Sequence, residues 1–166
     1  EIDGAILDNI IDYLNYVVVP VFIFYSLGMA PEPYLLLSCV AILLVSCFTF
    51  TNTNIKTDDF YFSGFPAIWN IVVLYFYILE SSEFTNFIFV ILFCVLTFIP
   101  FKYVHPFRVV EFRKITLIIT FIWMITTTIL LFDLSFTNPI FTRVNFVIWL
   151  ITNVYFAGNI VFRSIK

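Results

Sequence analysis

The sequence predicts an all-α, polytopic transmembrane helical bundle of about six spans, and three observations carry that prediction. Apolar residues make up 62% of the chain and charged residues only 11%, against about half and a quarter in soluble domains. Mean hydropathy is +1.05. The apolar residues also form continuous runs of Leu, Ile, Val and Phe without alternation. Backbone groups in hydrocarbon must be satisfied within their own segment or in a closed barrel, so such runs mean helices and not barrel strands.

A hydrocarbon layer about 30 Å thick needs about 20 apolar residues per helix, and six runs approach that length. The first, Ile6 to Met29, closes before Pro31. The second, Tyr34 to Phe50, ends at the polar stretch beginning with Thr51. The third, Phe65 to Leu79, follows Gly64 and stops at Glu80. The fourth, Phe87 to Val104, leads to a basic loop. The fifth, Ile115 to Phe132, starts just after Arg113 and Lys114, and the sixth, Val144 to Phe162, ends at Arg163. The connections are brief, without repeats or low-complexity tracts, so residues 1–166 read as one transmembrane domain.

Orientation follows from the basic residues, because translocation leaves Lys and Arg on the cytoplasmic side. Lys56 lies in the second loop, Lys102, Arg108, Arg113 and Lys114 in the fourth, and Arg163 and Lys166 close the chain. That puts seven of the eight basic residues on one side, with Arg143 alone on the other. The amino-terminal end of the first span shares the cytoplasmic side. A net charge of −3 with scattered basic residues lacks the basic face that a nucleic-acid partner needs. Cys39, Cys47 and Cys94 sit within apolar runs without CxxC or His pairing, and read as small buried hydrophobes. The abundance of Phe, Ile and Asn reads as compositional bias and not as a binding signal.

Chemistry concentrates at the start of the first span. Asp8 and Asp12 stand one helical turn apart at the edge of hydrocarbon, where an ionised carboxylate costs about 2.5–3.5 kcal/mol. With Gly4 they form one gently drifting stripe, Gly4-x-x-x-Asp8-x-x-x-Asp12. Two carboxylates at i and i+4 repel, which favours protonating one of them unless a cation intervenes. Hard divalent ions such as Mn²⁺ or Mg²⁺ suit oxygen ligands, and Mg²⁺ often takes one or two carboxylates plus waters and substrate phosphates. Two other readings stay open: carboxylates merely wetted at a helix start and favoured by its dipole, or a cation site in an ion-coupled transporter.

The Gly4–Asp8–Asp12 spacing resembles the second half of the signature DxxDGxxARx8GxxxDxxxD of the CDP-alcohol phosphotransferases. The stretch Leu7 to Val17 followed by Pro20, the segment Thr57 to Asn70, and His105-Pro106-Phe107-Arg108-Val109 with Arg113 are similar to the bacterial, choline-using branch of that family. The resemblance implies a membrane enzyme that transfers the phosphatidyl group of CDP-diacylglycerol to choline, giving phosphatidylcholine and CMP. It also implies a bacterial inner-membrane location with the active site facing the cytoplasm, and a homodimer is compatible with it. Serine, inositol or glycerol phosphate acceptors share the aspartate signature and remain alternatives. The DxxDGxxAR half is absent, so the expectation is an amino-terminal truncation by two helices that leaves this fragment inactive alone. On the family pattern Asp8 is a metal ligand and Asp12 is both metal-associated and the general base. Mn²⁺ or Mg²⁺ is the cofactor, and Gly4 belongs to the substrate-binding positions.

Accessory candidates come from side-chain chemistry. Aromatic faces can hold a quaternary ammonium for about 0.5–2 kcal/mol each, which makes Tyr61, Trp69, Tyr13 and Tyr16 candidates for a choline cage. An ordinary interfacial aromatic belt explains the same residues. His105 and Arg108 occupy the most basic loop, where Arg can bind phosphate bidentately and the cluster can attract anionic CDP-diacylglycerol. Plain topology also places basic residues there. Asn145, Asn153 and Asn159 with Gly158 read as interhelical hydrogen bonding and close packing.

Overall fold

A computed structural model describes residues 2–52, 61–108, 110–132 and 139–165. The first rod begins where Asp3 Oδ1 accepts from the backbone N–H of Ala5 at 2.9 Å and Ile6 at 3.2 Å, satisfying donors that a first helical turn leaves over. Helix α1 (Gly4–Tyr13) continues through a π-helical turn (Leu14–Val18) into α2 (Val19–Ser26). The wide turn falls just ahead of Pro20, which has no N–H to give the ladder; the Val19 N–H reaches back to the Leu14 carbonyl. The rod closes at Gly28, φ 60°, with Met29 N–H bonded to the Phe24 carbonyl at 3.0 Å and Gly28 N–H to that of Tyr25 at 3.1 Å. That is the left-handed closure glycine makes cheaply.

The remaining elements are α3 (Glu32–Thr51), β1 (Tyr61–Ser63), α4 (Trp69–Ile78), α5 (Glu83–Leu96), β2 (Lys102–Val104), α6 (Arg113–Leu131) and α7 (Pro139–Ile165). Among the described residues four helical stretches are long and apolar enough to cross a membrane: Gly4–Ser26, Glu32–Thr51, Arg113–Leu131 and Pro139–Ile165, while Trp69–Ile78 and Glu83–Leu96 are shorter apolar helices. The protein is a polytopic helical membrane protein. The third and fourth predicted runs are shorter as helices than drawn, for local reasons. Pro66 and a left-handed Ala67 (φ 56°) delay α4, and a left-handed Glu80 (φ 46°) follows its end. Helix α5 starts earlier than drawn, at the Ser82 cap, but stops at Leu96 ahead of Pro100. Lys102–Val104, drawn as the end of a span, is strand β2, paired with β1.

The chain divides into two compact units. In the first, α1 runs against the later half of α3: the Tyr13 hydroxyl donates to the Leu43 carbonyl at 2.9 Å and the Tyr13 ring meets Phe50 edge-on. Val17, Phe24 and Ile42 are fully buried. Trp69 donates Nε1–H to Ser46 Oγ at 2.8 Å, beside Phe65 and Phe93. At the far end of α3 the Asn86 amide donates to the Met29 carbonyl at 2.9 Å and Tyr34 stacks on Phe87.

The second unit holds α6, α7 and β2 with Tyr61 and Phe62 of β1. Helices α6 and α7 are antiparallel, joined by polar groups: the Thr116 and Tyr155 hydroxyls at 2.7 Å, the Asn145 amide on the Thr126 carbonyl at 3.1 Å, and Trp149 Nε1–H on Thr127 Oγ1 at 3.1 Å. Between apolar helices in lipid such bonds supply association that hydrophobicity alone does not. Asn145 therefore bridges helices as predicted, whereas the amides of Asn153 and Asn159 donate one turn back within α7, to Trp149 and Tyr155. No packing demand falls on Gly158, since a Cβ there meets nothing within 4 Å. Among the cysteines only Cys39 is buried; Cys47 faces outward from α3 and Cys94 is intermediate, because the outer face of a membrane helix accepts a small hydrophobe as readily as its core does.

Candidate functional site

Asp8 and Asp12 share one side of α1, separated by about 6 Å of helical rise. Asp8 is exposed and Asp12 half-buried. Gly4 opens the same helix, and the space a Cβ would enter there is empty to 4 Å. Asp3 gives its Oδ1 to the helix cap. Tyr16 follows in the π-helical turn, 39% exposed, while its neighbour Tyr13 is tied to α3. The structure thus brings Gly4, Asp8, Asp12 and Tyr16 onto one rod at the polar end of a span. Uncompensated, two carboxylates at this spacing cost the helix about 0.2–0.5 kcal/mol. Their oxygens are the hard donors that Mn²⁺ or Mg²⁺ selects, so the pair fits such an ion as part of its shell. They do not complete one: among the described residues no three His, Cys, Asp or Glu side chains gather.

The aromatic candidates are placed differently from a surface cage. Trp69 is 1% exposed and its N–H is committed to Ser46, which makes it a core residue of the first unit. Tyr61 is 3% exposed and already carries a cation, because the Arg163 guanidinium carbon lies 5.6 Å from its ring centroid. The interfacial-belt signal from sequence could not distinguish such interior rings from solvent-facing ones.

His105 and Arg108 lie beyond β2 in the second unit. The His105 ring stacks on Phe62 with centroids 5.5 Å apart. Arg108 N–H donates to the His105 carbonyl at 3.1 Å, closing a turn with Pro106 at the position where its fixed φ helps most. The Arg108 side chain is exposed. Burial raises the Tyr103 phenol above its ordinary pKa. Within this unit the Lys102 N–H is bonded to Ser164 Oγ at 2.8 Å and α6 begins at Arg113, so Lys102, Arg113, Lys114 and Arg163 share one end of the α6–α7 pair. Arg143 is 20 residues back along α7, about 30 Å away. Arg163, read from sequence only as a topology marker, is a buried hub that no local sequence signal announces. Lys56, Asp58, Asp59, Val109 and Lys166 lie outside the described residues.

The folded chain is therefore a membrane-embedded helical protein with paired carboxylates at one span's polar entrance and a basic turn at the end of another unit. No family model matches the chain, and no solved structure matches it. Relatives do: it is 38% identical over 164 residues to a phosphatidylcholine synthase of Pseudomonas aeruginosa, covering 99% of this chain and 67% of that protein. It is 43% identical over 122 residues to the Borreliella burgdorferi phosphatidylcholine synthase (74% of this chain, 52% of the relative), and 49% over 109 residues to that of Legionella pneumophila (65% and 43%). The chain belongs to the phosphatidylcholine synthase family. It spans between 43% and 67% of the length of these relatives.

Proposed function

We propose that this chain is part of an enzyme that transfers the phosphatidyl group of CDP-diacylglycerol to choline, releasing CMP, at the cytoplasmic face of a bacterial inner membrane. The observation that carries the reading is the Asp8–Asp12 pair on α1 in a chain that is 38% identical, along nearly its whole length, to a protein named phosphatidylcholine synthase. Asp8 and Asp12 would hold Mn²⁺ or Mg²⁺, with the rest of the donor set coming from outside the residues described. When bound, the ion supplies positive charge against the donor's diphosphate.

The chain's own residues do the rest. The Asp12 carboxylate accepts the proton of choline's hydroxyl. The freed oxygen attacks the phosphorus nearer the diacylglycerol, a P–O bond to the choline oxygen forms, and the bridging P–O bond breaks with its electron pair leaving on CMP. The open space at Gly4 admits the donor close to the helix. Tyr16, exposed four residues beyond Asp12, offers a ring face to the quaternary ammonium. Arg108, with His105 in the same turn, would draw the anionic donor to the membrane surface.

The test is Asp12→Asn in the full-length gene product, assayed with CDP-diacylglycerol and labelled choline. Loss of a general base lowers kcat by about 10²–10⁴-fold at saturating Mn²⁺, and loss of one of the two carboxylates weakens Mn²⁺ binding measured by electron paramagnetic resonance. Undiminished transfer with Mn²⁺ still bound removes the base role. A wild-type protein that makes no phosphatidylcholine overturns the reaction itself.

A further inference from the structure

We infer that Arg163 is a positioning residue for the His105–Arg108 turn, an assignment that rests on the reading above in which this turn draws the anionic donor to the membrane surface. Arg163 stands in the last turn of α7 and is 7% exposed. A cation whose only task is to mark the cytoplasmic side would reach for water, as long basic side chains near helix ends do. This one turns inward. Its guanidinium carbon lies 5.6 Å from the Tyr61 centroid, 5.9 Å from that of Phe112 and 5.7 Å from that of Phe162. It also pairs with Glu111, whose own side chain is 61% exposed. Three separate pieces of chain meet on this one group: β1, the approach to α6, and the end of α7.

The β1 contact leads to the turn. Phe62, next to Tyr61, stacks on His105, and β1 pairs with β2, which runs directly into His105. The residue after Arg163 makes a second tie, since Ser164 Oγ accepts from the Lys102 N–H that opens β2. Both sides of the sheet that presents His105 and Arg108 are thereby fastened to one helical turn. A guanidinium suits this place because it is flat, sits over ring faces and still carries its charge to Glu111 at its edge. An ammonium keeps the charge and loses the planar stack.

The variants are Arg163→Met and Arg163→Lys in the full-length gene product, with Glu111→Gln to release only the ion pair. The KM for CDP-diacylglycerol rises about tenfold in the Met variant and by a smaller factor in the Lys and Gln variants, with kcat and the choline KM within about twofold of wild type. Hydrogen–deuterium exchange of residues 102–108 accelerates about tenfold in the Met variant, while α3 and α4 exchange as before. Unchanged donor KM and unchanged exchange overturn the assignment. So does a fall in kcat accompanied by faster exchange everywhere, which marks a residue that only holds the fold. If the wild type does not transfer phosphatidyl to choline, the exchange experiment alone decides: selective acceleration over 102–108 sustains the positioning link, and its absence overturns it.

Discussion

Two glycines in left-handed backbone allow a clean test of how tightly the first unit is built. Gly28 has φ 60° and a Cβ there meets nothing within 4 Å, whereas a Cβ on Gly64 (φ 84°) falls 2.3 Å from the Thr97 carbonyl oxygen and 3.1 Å from its carbonyl carbon. Left-handed backbone costs a non-glycine residue about 1–2 kcal/mol, so Gly28→Ala loses about that much and no more. Gly64→Ala carries the same backbone cost plus a collision with main chain, which has no flexible end to swing aside. Relief requires Gly64 and Thr97 to separate, and the neighbouring Phe65 N–H bond to the Leu96 carbonyl, 3.1 Å long, stands in the way. Losing that bond costs about 0.5–1.5 kcal/mol. Disturbing the stack of Phe65 on Phe93, centroids 4.7 Å apart, adds about 0.5–1.5 kcal/mol. The Gly64 variant is therefore less stable than the Gly28 variant by about 1–3 kcal/mol. Thermal midpoints in detergent, followed by fluorescence-detected size exclusion, read the difference: Gly28→Ala melts slightly early, and Gly64→Ala melts well below it or fails to accumulate. Equal midpoints would refute the clamp between the β1 exit and the end of α5.

Trp69→Phe keeps most of the ring and removes the donor that reaches the buried Ser46 hydroxyl at 2.8 Å, a loss of about 1–3 kcal/mol seen as a lower thermal midpoint with the choline KM unchanged; a raised choline KM at wild-type stability would return Trp69 to the acceptor site. Asn145→Leu deletes the amide bond to the Thr126 carbonyl and weakens the α6–α7 seam by about 0.6–1.7 kcal/mol, the range for hydrogen bonds between membrane helices. Reversible unfolding in mixed micelles measures it, and a value near zero would show that the Asn145 bond does not contribute to joining the two helices.

What the sequence disclosed and what it hid divide along physical lines. Apolar run length is a property of local sequence, so the four long helices were legible, and so was the stripe of Gly4, Asp8 and Asp12, which needs only helical geometry. The shortened third and fourth runs were not, because their limits depend on left-handed residues at Ala67 and Glu80 and on the close approach of Gly64 to Thr97, none of which composition records. The small sheet escaped for a related reason: two three-residue strands, β1 and β2, lie some 40 residues apart, and pairing at that distance leaves no periodic trace. Trp69 and Tyr61 were legible as aromatic residues near a membrane surface, yet burial and partners separate a core ring from a ligand-facing one, and those emerge only from tertiary structure. Arg163 shows the same limit most sharply, since its charge was counted for topology while its rings come from β1, the approach to α6, and α7 itself.

The carboxylate pair poses the deeper physical question, because neither helix capping nor the packed core accounts for it. Asp8 and Asp12 do not cap α1, a task that Asp3 already performs through bonds to Ala5 and Ile6. Nor do they belong to the packed interior, since α1 itself contributes no buried residue. Their like charges oppose the helix by about 0.2–0.5 kcal/mol, and their nearness to hydrocarbon costs several times that. Removing the exposed charge of Asp8, as in Asp8→Asn, should then stabilise the protein by about 0.2–0.5 kcal/mol at the same time as it lowers transfer activity. A stability gained where activity is lost is the signature of side chains kept for what they bind, and it is the pattern that the assignment of Asp8 and Asp12 to a divalent ion and a reacting hydroxyl requires.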